Sequence, residues 1–270
     1  MNEMVSESIL LSEKRFQKLS TELPTRKDEN YRYTSLRGVD IDRTPSESGG
    51  SEIRSLQPEV SSEEVLILTD GTAHQVRYLG DHQSLKTSRV LFMDFSSVPH
   101  TEILNQHVEK VSALFDEDIF AQLVQARAQN GIFIYIPQGV QVVPVLRVIG
   151  HFDSSQSLLL NRICIVLSEG AQAKVVIERS GNGLLNGKAP LSSSLLQVRT
   201  QKNATLDLYE WNHMGSHVQD FSRVSLNLEQ DSVCNFERVF HGSSMTQSRV
   251  ESESIGKNAQ LNLQSAVRGE

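Results

Sequence analysis

Little in this chain is equipped to react. Its 270 residues hold two cysteines, Cys164 and Cys234. Two are too few for a disulfide framework, and no CxxC pair exists for redox work or a zinc knuckle. No apolar run approaches the ~20 residues that cross a bilayer. The first residues, MNEMVSESILLSEKR, lack the basic region and apolar core of a signal peptide. Positive charge is also short: 26 Lys and Arg stand against 33 Asp and Glu, a net charge of -7. That balance offers no general attraction to nucleic acid or to an anionic membrane. The simplest reading is a soluble protein of a reducing, cytoplasmic setting.

What is there is a repeat. Between Ile163 and Ser265, four turns are flanked on both sides by alternating apolar positions. They are Glu169-Gly170-Ala171, Lys202-Asn203-Ala204, Gln230-Asp231-Ser232 and Lys257-Asn258-Ala259, with centres stepping by 33, 28 and 27 residues. Every centre is Gly, Asn or Asp, the types that best tolerate a left-handed backbone. Three residues after each centre stand Ala173, Leu206, Cys234 and Leu261; two further on stand Val175, Leu208, Phe236 and Leu263. Five before stand Ile165, Val198, Leu226 and Glu253; three before, Leu167, Thr200, Leu228 and Ile255. Alternate residues of a strand share a face, so each unit reads as strand, tight turn, strand with one buried side. Units in phase stack in columns, and a strand-based period of this length predicts a β-helix.

Upstream, residues 7–20 read as a helix, with Ile9, Phe16 and Leu19 on one stripe and Leu23 beyond it. Residues 24–36 form a polar segment tied down by Tyr31, Tyr33 and Leu36. A nucleic-acid role for Arg26, Lys27, Arg32 and Arg37 runs against the overall acidity. Residues 42–62, rich in Ser, Glu, Gly and Pro, read as a linker or mobile loop. Two strands follow, over 65–68 and 76–78 about a turn at Asp70-Gly71, and Val90 to Phe95 suits another. A helix over 101–115 precedes a second opened by Asp116-Glu117-Asp118 and closed at Asn130-Gly131. This pair is expected to dock over one end of the solenoid. Three regions result: a helical arm and linker at 1–62, strands and a helix pair at 63–130, and the β-helix at 131–270.

Chemistry is sparse. Cys234 shares a column with Ala173, Leu206 and Leu261, which fits a small core hydrophobe better than a reactive thiol. Cys164 faces the other way, in a column with Gln197, Ser225 and Ser252, on a side expected to be covered. His213 and His217 flank Met214-Gly215, but the glycine points to a loop, and with no third ligand nearby the metal reading is weak. His241, closing a strand, can approach them in space. Ser180 to Ala189 carries several glycines before Lys188, but the intervals and Ala189 do not fit a P-loop. It reads as a loop inserted between coils. No catalytic, cofactor-binding or metal-ligating residue is therefore assigned.

Three segments carry a family resemblance. Residues 24–36 (PTRKDENYRYTSL) resemble the "PTxxxExWRYTxL" segment of SufD-type proteins, with Tyr31 in place of Trp. Residues 130–140 (NGIFIYIPQGV) look like the "NGxFxxxPxGV" start of the SufB/SufD core, and residues 162–171 (RICIVLSEGA) are similar to the coil that follows. The resemblance implies a mainly β protein, a right-handed parallel β-helix preceded by a small helical or mixed region. It implies a non-enzymatic scaffold subunit of the SufBCD complex for iron–sulfur cluster assembly, with a SufB-like subunit and the ATPase SufC as partners. The cluster would be assembled on the complex, with no cofactor bound by this chain alone. Family members continue with further coils, a "CSHGAT"-like segment and a C-terminal helical region that docks SufC. Because the sequence stops at Arg268-Gly269-Glu270, it reads as a C-terminally shortened form lacking that docking region. Two other readings compete: a carbohydrate-active β-helix (a polysaccharide lyase or hydrolase), and a purely structural or adhesive solenoid. The outward columns, mostly Gln, Ser, Arg and Asn, lack the clustered Asp, Arg or Lys that a lyase needs.

Overall fold

The computed structural model describes residues 14, 16–18, 23–42, 64–69, 77–80, 89–94, 115, 117–128, 131–152, 157–183 and 187–268. Three short strands come first: β1 (Glu64–Thr69), β2 (Arg77–Gly80) and β3 (Leu91–Asp94). The helix α1 (Ile119–Arg127) precedes β4 (Gly131–Ile136) and β5 (Val145–Phe152). Strands then alternate with short connections: β6 (Leu158–Leu167), β7 (Gln172–Gly181), β8 (Leu191–Thr200), β9 (Thr205–Met214), β10 (Gln219–Glu229), β11 (Val233–Gly242), β12 (Met245–Ile255) and β13 (Gln260–Arg268).

Each successive pair from β4 onward makes one coil, with one strand in each of two sheets. The even sheet runs β12-β10-β8-β6-β4-β3 and the odd sheet β13-β11-β9-β7-β5-β1-β2. From β4 to β13 every pairing is parallel, giving a solenoid of five coils. β1 extends the odd sheet in parallel with β5 and pairs β2 antiparallel, while β3 joins β4 antiparallel. The two strands expected over 65–68 and 76–78 and the strand near Val90 are therefore present, added to the first coil's sheets, while the turn at Asp70-Gly71 lies outside the described residues.

The turns explain why the coils stack. Gly170, Asn203, Asp231 and Asn258 all have positive φ, as does Gly139 in the first coil. Each turn donates to the next: Gly139 N–H to the Glu169 carbonyl, Gly170 to Lys202, Asn203 to Gln230 and Asp231 to Lys257, at 2.9–3.1 Å. Side chains follow suit, as Asn258 Nδ2 donates to Asp231 Oδ1 at 3.0 Å. The columns Ala173, Leu206, Cys234, Leu261 and Val175, Leu208, Phe236, Leu263 are in register as expected. All but Leu263, which is exposed in the last coil, pack with Ile165, Val198, Leu226 and Leu228 of the even sheet in one continuous core.

The last coil departs by one residue. Leu226 pairs with Ser252 and Leu228 with Ser254, so Glu253 and Ile255 do not stand in the columns expected for them. Likewise Ser225 pairs with Glu251, which takes the place expected for Ser252 beside Cys164's column. The cause is Gly256, at φ 110, an extra residue between β12 and the turn. A Cβ there would lie 2.9 Å from Gln230 Cβ, so the bulge requires glycine.

The two outer faces differ. The even sheet's outer face is covered by α1, which packs on β6, β8 and β10. Phe115, Ile119, Phe120, Leu123 and Val124 bury against Leu158, Leu160, Leu191, Leu195 and Phe221. The helix thus lies along a face and not over the end of the solenoid. It ends at Ala128 in extended geometry, and Gly131 opens β4 instead of capping it. Phe16, in a helical stretch at 14 and 16–18, joins the same cluster, with Arg127 over its ring at 4.4 Å. Tyr31 and Leu36 are buried there too, whereas Tyr33 is 91% exposed and anchors nothing. The rest of the first helix, the linker at 43–62 and the helix over 101–114 lie outside the described residues.

Candidate functional site

Inward positions are apolar near the turns but become charged further along each strand. On β7 the series Ala173, Val175, Ile177 ends in Arg179; on β9 Leu206 and Leu208 give way to Glu210 and Asn212; on β11 Phe236 precedes Arg238. From the even sheet, β10 contributes Asp220 and Ser222. All these side chains are buried.

They satisfy one another. Arg179 Nη1 meets Asp220 Oδ1 at 2.8 Å and Arg179 Nη2 meets Glu210 Oε1 at 3.1 Å. The second oxygen, Glu210 Oε2, receives Arg238 Nε at 2.7 Å, and Arg238 Nη2 donates to Ser222 Oγ at 2.8 Å. Asn212 Nδ2 donates to Asp220 Oδ2 at 2.5 Å. The Arg238 guanidinium also lies between Phe236 and Phe240, at 5.1 and 4.8 Å from their ring centres. Burial alone would raise the pKa of Glu210, but Arg238 and then Arg179 outweigh it and hold the carboxyl below its ordinary range. Burial opposes charge on Arg179 as well, and there Asp220 and Glu210 win, so its pKa rises. The cluster ties both sheets together inside the solenoid.

Beside this cluster, Arg179 Nε, Asn212 Oδ1, Ser194 Oγ and both side-chain polar atoms of Asn161 are buried without a protein partner. Such atoms need water or another polar guest. The interior of this half is thus polar, unlike the dry half beside the turns.

A second buried ion pair fixes the N-terminal region to the outer face. Asp118 caps α1, its Oδ1 accepting from Phe120 N and Ala121 N at 3.0 Å. Its Oδ2 receives Arg223 Nε of β10 at 2.8 Å and Tyr31 OH at 3.1 Å. Arg223 Nη2 also reaches Tyr31 OH and Gln247 Oε1, while Gln247 Nε2 donates to the Asn30 carbonyl. Phe120 stacks on Phe221 with ring centres 3.6 Å apart. Burial, followed by the Asp118 charge, pushes the Tyr31 hydroxyl well above its usual pKa. So Tyr31 supplies a hydroxyl to this clasp.

The residues weighed in the sequence fall as follows. Cys234 lies in the core, and burial pushes its thiol up to about 12. Cys164 is buried on the covered face, and burial drives it to about 12 against a smaller opposing pull from Arg162. Neither supplies a thiolate at neutral pH. His213 is not in a loop: it lies within β9, because Gly215 follows the strand and does not break it. His217 occupies the turn closed by Val218 N–H to the Gly215 carbonyl. The structure pairs His213 instead with His241, ring centres 4.9 Å apart. Lys188 of the glycine-rich stretch forms an exposed ion pair with Asp40 at 2.8 Å. Arg26, Lys27, Arg32 and Arg37 are exposed. Sequence reasoning missed the interior charges. Continuing the period-2 columns past Ile177, Leu208 and Phe236 would have placed Arg179, Glu210 and Arg238 inside.

A family model for the SUF system FeS cluster assembly, SufBD core domain, matches residues 151–270. The chain is also similar to the iron-sulfur cluster assembly protein SufD of Bacillus subtilis (strain 168), 23% identical over 199 residues. That match covers 71% of this chain and 44% of the relative, so the chain spans less than half of that protein's length. None of the described helices is long and apolar enough to cross a membrane.

Proposed function

We propose that this chain, whose residues 151–270 match the SufBD core-domain model, is a SufD-like, non-catalytic scaffold subunit of a cytoplasmic SufBCD-type assembly. The observation that carries the reading is the coincidence of the matched segment with the stacked coils, from β6 to β13. A scaffold must hold partner surfaces in fixed relation. The buried ion network suits that task, because four strands from both sheets share one set of charges. In this reading the partners are a SufB-like subunit and a SufC-like ATPase, and turnover belongs to the ATPase. Iron and sulfur are cargo of the whole complex, with no cofactor resident on this chain.

The test is capture. The tagged chain, expressed with SufB- and SufC-type proteins from the same organism, is expected to retain the SufB-type subunit through purification. Its absence from the purified material, with the SufB-type protein soluble and folded, would overturn the reading.

A further inference from the structure

One column on the outer face of the odd sheet is unlike the others. In register from strand to strand it holds His151, Ser180, His213, His241 and Arg268. His151 Nδ1 lies 3.4 Å from Ser180 Oγ. His213 and His241 are immediate neighbours on β9 and β11, one exposed and one half-buried, with rings 4.9 Å apart and inclined at 78°.

We propose that His213 and His241 form a two-imidazole chelate for a borderline divalent transition ion such as Zn²⁺, Ni²⁺ or Cu²⁺. Parallel neighbours lie about 4.8 Å apart, so in-register side chains project side by side. A zinc–imidazole bond is about 2.0–2.1 Å, which puts two nitrogens on one ion within ~4.2 Å of each other. Rings whose centres are 4.9 Å apart need only side-chain rotation to meet that condition. The backbone is already set, since β9 is bonded to β7 on one side and β11 on the other. Imidazole selects Zn, Cu and Ni over Mg and Ca, which prefer oxygen.

Among the described residues no third His, Cys, Asp or Glu converges with them. The remaining coordination positions are therefore open to water or to a donor from another molecule, and the bound ion exchanges. Arg268, in register beside His241, opposes a cation. The proposal concerns these side chains alone and stands apart from the assembly role.

Zn²⁺ titrated calorimetrically into the full untagged chain tests it. We expect one site whose affinity falls at least tenfold in His213→Asn and in His241→Asn. His151→Asn, two strands from His213 across Ser180, is expected to leave it unchanged, and Arg268→Gln to strengthen it severalfold. Mg²⁺ should give no heat. Carbethoxylation of the native chain, read by peptide mass spectrometry, checks the site without substitution: Zn²⁺ should protect both histidines. Unprotected histidines, or affinity untouched by either substitution, would overturn the proposal.

Discussion

Arg223 and Asp118 lie 105 positions apart in the chain, yet their side chains meet at 2.8 Å out of contact with solvent. This buried pair adds to the apolar cluster that holds the N-terminal region on the solenoid. Asp118→Asn keeps an acceptor for the helix cap but removes the charge, leaving Arg223 buried without its anion. A loss of about 3–5 kcal/mol is expected. Asp118→Ala removes the cap as well and should cost about 1 kcal/mol more. Denaturant unfolding of the two variants separates the contributions; equal, small losses would show that the clasp carries little.

The interior network makes an acid-side prediction. The pKa of Glu210 is lower in the folded chain than in the unfolded one. Its contribution is therefore fully present above the ordinary glutamate value of ~4.3 and is lost as pH falls through the lower folded value. Glu210→Gln strips a partner from both Arg179 and Arg238. It should lower stability at pH 7 by about 3–5 kcal/mol and flatten the decline below pH ~4. Urea midpoints across pH 3–7 would show a variant curve that is lower and shallower.

Both cysteines are expected to be silent in the native state. With each thiol held near pKa 12 by burial, a disulfide reagent at pH 8 should find almost no thiolate. In denaturant the same chain should release two equivalents, one for each cysteine. Rapid native labelling of Cys164 would place it on an accessible surface and contradict the covered face.

The solenoid was legible because its signal is local and repeated. Gly170, Asn203, Asp231 and Asn258 mark turns by their own backbone preference, and alternation fixed which side was inside. The slip at Gly256 was not, because an extra glycine beside a turn leaves the same letters with a different register. Interior charge was hidden for another reason. The period-2 columns point Arg179, Glu210 and Arg238 inward, but their charge argues for solvent until Asp220 is known to face them, and that depends on both sheets closing. The approach of His241 was open to sequence reasoning, but nothing local chose it over His217; strand register brings it to His213 from 28 positions away.

The proposed scaffold role in iron–sulfur cluster assembly is measured most directly by cluster loading in cells. Deleting or depleting the chain in an organism that depends on this SUF system should lower the activity of an iron–sulfur enzyme such as aconitase, with its polypeptide level unchanged. Restoring the chain should restore activity. Full activity of cluster enzymes after its loss would contradict the account.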